Sequence, residues 1–166
     1  AVYFMDGTQG DNQIAMFTYY EAFAAMGWTQ GATEIAGLND AAKLGRYFAD
    51  LRFLLGKIGT RTAFIHLEPD LWGFAQSLVN QNPDSIPTKT PTANATDCAA
   101  QAATFSGFGK CLVAMVRKYA PNAKVGVHGS PWGTGVDVYL NKSTSFNVPA
   151  EAAKLAGPFP ADTVFV

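Results

Sequence analysis

Between Asn39 and Gly59 the apolar residues Leu44, Tyr47, Phe48, Leu51, Leu54, Leu55 and Ile58 recur at helical spacing and form a single stripe. Asn39 or Asp40 offers an N-cap ahead of the stripe, and Gly59 ends it. Just beyond, the period drops to two in Thr62-Ala63-Phe64-Ile65-His66-Leu67, the strongest strand pattern of the chain. A one-faced helix feeding directly into a strand is the unit from which parallel α/β sheets are built, and every other segment must be compatible with it.

The flanking segments repeat the alternation. Val2 to Met5 reads as a strand ending at Asp6-Gly7, followed by a turn from Gly7 to Asn12. Ile14, Phe17, Tyr20, Glu21 and Ala24 are spaced for a helix ending near Gly27, and 29–38 reads as loop. Leu71 to Val79 suits a short helix. From Asn80 to Thr96 the chain turns to Asn, Pro, Thr and Ser, a longer excursion than a tight connection needs. A helix is expected from about Ala99 to Tyr119, closed by Pro121-Asn122, and then a strand over Lys124 to His128. A Gly-rich loop from Gly129 to Gly135, a short helix from Pro149 to Ala156 and a last strand after Asp162 complete the order. No internal repeat is visible.

Strand, helices, strand, helices, strand, helix, strand predicts parallel strands with right-handed crossovers. A (β/α) barrel segment and an open doubly wound parallel sheet both satisfy that order. The expectation is the barrel segment, about half a barrel, with residues 1–166 forming a single α/β domain internal to a larger barrel. Apolar strand-like runs at both ends, Ala1 to Asp6 and Thr163 to Val166, motivate that reading and predict self-association through open barrel edges.

Composition narrows the function classes. The hydrophobic fraction is 48% and the charged fraction 15%, so a core can form with little self-repulsion and the composition argues against disorder. A net charge of -1 with no Lys/Arg cluster argues against a nucleic-acid partner, which needs a concentrated basic face. No apolar run approaches the ~20 residues of a membrane-spanning helix, so no membrane partner is expected. Cys98 and Cys111 bracket a stretch of small and polar residues and are predicted to form a disulfide; with low charge and many Thr, Asn and Gly, this points to a secreted or periplasmic location.

In either parallel fold, ligands sit at the carboxyl ends of the strands. Those ends carry Asp6, then His66, Glu68 and Asp70, then His128, Ser130 and Trp132. Alternation along the strand puts Phe64, His66 and Glu68 on one face and Ile65 and Leu67 on the other, so His66 and Glu68 are expected to point to the barrel axis. Each residue also has a plain structural reading. Glu68 before Pro69 can hold backbone N–H groups, Asp70 can cap the helix starting at Leu71, and Trp72, Trp132 and the histidines can be core. Trp28, after a Gly at a helix end, reads as packing. Trp72 and Trp132 beside glycines at strand-end loops equally suit sugar binding, because a flat ring face stacks on pyranose C–H groups.

Glu68-Pro69-Asp70-Leu71 after a strand resembles the Glu-Pro-Asp-(Ser/Gly)-Leu stretch of the family-six cellulases, which lies at a strand end of a distorted (β/α) barrel. Tyr119-Ala120-Pro121-Asn122 leading into Val125-Gly126-Val127-His128-Gly129-Ser130-Pro131-Trp132 is similar in layout to that family's helix, Pro-Asn, strand and Gly-His-x-x-Trp pattern. The likeness covers about a dozen positions in two patches. The family's Asp-Arg-Asp segment ahead of this strand has no counterpart here. The resemblance implies a glycoside-hydrolase-like barrel acting on an oligo- or polysaccharide.

Cleaving an acetal requires a carboxylic acid to protonate the leaving oxygen and a carboxylate as nucleophile or base. Glu68 is the candidate acid/base with His66 beside it, and Asp6, Asp70 or a carboxylate beyond Val166 is the candidate partner; Trp72, Trp132, His128 and Ser130 are the candidate substrate-binding residues. Two other classes fit the same residues. A non-catalytic carbohydrate-binding or structural protein would keep the tryptophans and polar rim, and a metal-dependent hydrolase would use His66, Glu68, Asp70 and His128. The chain has no His-x-His or His-Glu-x-x-His pair, no Gly-x-Ser-x-Gly elbow, no Gly-x-Gly-x-x-Gly after its first strand and no P-loop lysine. No cofactor and no metal is therefore expected.

Overall fold

The computed structural model describes residues 14–78, 82–135 and 164–165. It is an α/β fold with an open parallel sheet. The elements run β1 (Ala15–Tyr19), α1 (Ala22–Ala25), α2 (Ala32–Gly37), α3 (Ala41–Ile58), β2 (Ala63–Leu67) and α4 (Leu71–Leu78). They continue with α5 (Thr90–Ala93), α6 (Ala95–Cys98), α7 (Phe105–Tyr119), β3 (Lys124–Val127) and β4 (Val164–Phe165), with short 3-10 turns at Pro83–Ser85 and Pro131–Thr134. The strands lie side by side in chain order, all parallel, β4 contributing a two-residue pairing.

The long helix forms where its stripe predicts. Asp40 caps it, its Oδ1 accepting from Ala42 N and Lys43 N at 2.9 and 3.1 Å, and Gly59 ends it at positive φ. Its buried residues Leu44, Tyr47, Phe48, Leu51, Leu55 and Ile58 meet the Ala63, Ile65 and Leu67 face of β2 and the buried residues of α7 in one core. Burying each of these large side chains contributes about 1.5–3 kcal/mol. The opposite face of the sheet carries Met16 and Thr18, exposed, and Phe64 and His66, half-buried. No helix among the described residues is long and apolar enough to cross a membrane.

Three local expectations are corrected. The helix expected across Ile14 to Gly27 is instead strand β1 followed by the four-residue α1. Phe17 fits both periods, but Thr18, Tyr19 and Tyr20 suit a pleated surface, and pairing of Ala15–Tyr19 with Ala63–Leu67 decides the matter. The segment expected as loop over 29–38 contains α2. The helix expected from Ala99 begins at Phe105, where Thr104 Oγ1 accepts from Gly107 N at 3.3 Å. Before it, α5 and α6 occupy part of the Asn/Pro/Thr-rich excursion. The expected strand at Val2–Met5, Asp6, the turn to Asn12 and the helix at Pro149–Ala156 lie outside the described residues.

Cys98 and Cys111 form a disulfide, with 5.5 Å between their Cα atoms. It joins α6 to α7. Next to it Asp97 accepts from Arg52 Nη2 at 2.6 Å, Lys118 Nζ at 2.7 Å and the Tyr119 hydroxyl at 2.9 Å, tying α3, α6 and α7 together. Burial would raise the Asp97 carboxyl, but these donors outweigh it and hold Asp97 at about 2.

Candidate functional site

The carboxyl ends of β1, β2 and β3 meet at one edge of the sheet. Tyr19↔Leu67↔Val127 is the last register row, so Tyr20 and Glu21, Glu68 to Asp70, and His128 to Ser130 follow it together.

Glu68 does not share the face of His66. Its φ of 46° breaks the strand alternation, one of two positive values at a non-glycine residue among the described residues, and its side chain is fully buried. Its N–H donates to Tyr19 O at 2.7 Å, and its Oε1 accepts from Glu21 N and Ala22 N at 3.1 Å each. The carboxyl group thus clamps the end of β2 to the start of α1. Burial pushes Glu68 up to about 8; the Glu21 and Ala22 N–H groups and the nearby Tyr47 hydroxyl lower it, and the nearby Glu34 raises it. At neutral pH the group is therefore mostly protonated. Its Oε2 and the Tyr47 hydroxyl are both buried with no well-formed hydrogen bond. The expected direction of Glu68, toward the axis beside His66, is corrected: the left-handed turn before Pro69 rotates the side chain into the helix-packed side.

His66 stays on the other face, its ring 5.6 Å from that of His128 and tilted by 36°. Burial, and then His128, lower His66 below its ordinary value. The pair has the right atoms for a metal, but Glu68 has turned away, and among the described residues no group of three His, Cys, Asp or Glu could hold one. Ser130 is buried, its Oγ 3.5 Å from Pro69 O.

Trp72 is core, which corrects the stacking role expected of it. Its ring packs on Phe105 and Phe108, and Nε1–H donates to Leu67 O at 2.8 Å. Trp132 is 36% exposed and stands edge-on to Phe74, ring centroids 5.0 Å apart. Gly73 makes that seat: a Cβ there would lie 2.6 Å from Trp132 Cζ2.

Asp70 is half-buried and accepts a hydrogen bond from the Tyr20 hydroxyl on Oδ2 at 2.9 Å. Gln30 Nε2 donates to the same hydroxyl. Burial, with Asp70 next, pushes Tyr20 up to about 12, so it remains a donor to Asp70. Glu34 on α2 is buried beside this group. Burial pushes it up to about 7; the Gly31 N–H opposes the shift and Asp70 adds to it. Its Oε1 has no hydrogen-bond partner. Tyr20, Gln30 and Glu34 were not among the residues singled out by sequence. A period-two reading of Ala15 to Tyr19 would have put Tyr20 at a strand end, and a Glu three residues after Gly31 is the spacing with which a helix's first turn reaches back to its cap.

The strand ends therefore gather Asp70, Tyr20, Gln30, Glu34 and the Phe74–Trp132 ledge, with the His66–His128 pair at the same end of the sheet. Comparison with protein-family models, with curated proteins and with solved structures finds no match to this chain.

Proposed function

We propose that the chain belongs to an exported, carbohydrate-active hydrolase of (β/α)-barrel type that cleaves glycosidic bonds at the carboxyl ends of its strands. The observation that carries this reading is Asp70: a half-buried strand-end carboxylate oriented by Tyr20, backed by a second carboxyl group, Glu34, and bordered by the Phe74–Trp132 ledge. Asp70 is the acid/base that meets the glycosidic oxygen. Glu34 stands behind it as a second, buried carboxyl group in the same electrostatic field. Glu68 is the anchor that holds the β1 and β2 ends in place. Asp6, outside the described residues, is the candidate second carboxylate. The barrel reading is supported by strands in unbroken chain order and by a sheet face with exposed Met16 and Thr18 opposite the helix-packed one. Export is supported by the Cys98–Cys111 disulfide.

In this reading Asp70→Asn lowers the release of reducing sugar from oligosaccharides by on the order of 10²-fold or more. Retention on the same glycan changes little, since Asn keeps the side-chain volume. Unchanged hydrolysis per folded molecule would remove Asp70 from the mechanism. A non-catalytic carbohydrate-binding protein is the second reading, favoured by the engagement of Glu68 with backbone N–H groups; wild-type protein that binds glycan and releases no reducing ends would establish it.

A further inference from the structure

Both histidines of the chain, His66 and His128, meet on the sheet face turned away from the helices. In the strand register His66 stands between Thr18 on β1 and Gly126 on β3. Gly126 has no side chain, and His128 lies two residues further along the same face, so the β3 side chain that His66 meets is an imidazole. The rings are tilted by 36° with centroids 5.6 Å apart, and both residues are half-buried.

Ring contact alone does not explain this pair. His66 Nε2 is buried with no hydrogen-bond partner, and an imidazole nitrogen withdrawn from water without one is costly. Two neighbouring imidazoles can share a proton or a metal ion. A shared proton requires a hydrogen bond between the rings, and Nε2 makes none. A metal ion held ~2.0–2.1 Å from one nitrogen of each ring, at a tetrahedral angle, sets the centroids about 5 Å apart. The observed 5.6 Å is close to that spacing, and small ring rotations reach it.

The ligand type selects the ion. Imidazole suits Cu²⁺, Ni²⁺ and Zn²⁺, whereas Mg²⁺ and Ca²⁺ prefer carboxylate and water oxygens. Glu68 is buried on the helix-packed side, and no third His, Cys, Asp or Glu among the described residues completes a group. The remaining coordination positions therefore fall to water, with the exposed Thr18 hydroxyl on the same face.

We propose that His66 and His128 form an exchangeable two-imidazole site for a divalent transition-metal ion, tightest for Cu²⁺. The site is independent of the reading of Asp70 as an acid/base, and no catalytic step is routed through the ion.

Isothermal titration of the chelator-treated full chain with CuSO4, NiCl2, ZnCl2 and MgCl2 tests it, using wild type, His66→Asn and His128→Asn. Wild type is expected to take up about one Cu²⁺ per chain, with weaker binding of Ni²⁺ and Zn²⁺ and none of Mg²⁺. Each substitution is expected to weaken Cu²⁺ binding by about tenfold or more. The paramagnetic resonance spectrum of the wild-type Cu²⁺ complex is expected to show coupling to two imidazole nitrogens, and that of either variant to one. His128→Asn, which leaves His66 in place, decides the matter if His66→Asn melts early. Equal Cu²⁺ affinity in wild type and His128→Asn overturns the site, as does a wild-type chain that binds none of the three transition metals.

Discussion

Glu68 and Asp97 are both acidic residues with their carboxyl groups removed from water, and their surroundings push them in opposite directions. Glu68 rises from 4.5 to about 8 through burial, so between those values the folded state holds a proton that the unfolded chain has released. Its contribution to stability is complete below about 4.5 and is lost as the pH rises toward 8; Glu34, raised to about 7, acts in the same direction. Asp97, lowered from 3.8 to about 2, contributes above 3.8 and loses that contribution as the pH falls through 2. Thermal melts should therefore fall between pH 5 and 8, and Glu68→Gln, which mimics the protonated side chain, should flatten that limb. A wild-type melting temperature that rises across this window would contradict the assignment. Glu68→Ala leaves the Glu21 and Ala22 N–H groups without their acceptor and is expected to destabilise by about 1–3 kcal/mol, measured by denaturant unfolding.

Between elements, packing at α4 and cross-linking at α6 have separate consequences. Gly73 lets the 3-10 turn carrying Trp132 lie against α4, and a methyl group there would meet the indole at 2.6 Å. Gly73→Ala is expected to lose about 1–3 kcal/mol through overpacking and to shift Trp132 off Phe74; unfolding midpoints and indole fluorescence report the two effects. The disulfide between α6 and α7 closes a loop of 13 residues in sequence separation, for which chain entropy gives about 3 kcal/mol. Melting with and without reductant should differ accordingly, and non-reducing mass spectrometry should find Cys98 and Cys111 protected from alkylation.

At the scale of the molecule, the sheet has a helix-packed face and a face with exposed apolar residues. Ile14 is 67% and Met16 63% exposed, at the start of β1 and on it, and among the described strands β1 pairs on one side with β2. Apolar side chains exposed on a sheet face invite association. The 166-residue chain is expected to self-associate, and Met16→Lys to shift it toward monomer in sedimentation equilibrium. Wild-type protein that sediments as a monomer at all concentrations would exclude association through this face.

The local code by itself determined the α3 helix with its Asp40 cap and Gly59 stop, strand β2, strand β3, the short helix after Asp70 and the parallel α/β class, because each rests on periodicity and capping within a few residues. It also carried the cysteine pair. What it left undecided turned on partners distant in sequence. Residues 14–21 satisfy a helical and an extended pattern alike, and only pairing with Ala63–Leu67 makes them β1. The direction of Glu68 followed from a single left-handed backbone torsion and from N–H groups at Glu21 and Ala22, nearly fifty residues away. The same holds for the candidate site. Asp70 and Trp132 were legible at strand ends, but Tyr20, Gln30, Glu34 and the 77% exposure of Trp28, which the sequence assigns to packing, arise from the folding of the β1–α3 connection over the β2 end. Strand alternation says which side chains share a face; which backbone donors and rings stand opposite them is settled by tertiary packing, since hydrogen bonds and ring contacts act over a few ångströms whatever the separation along the chain.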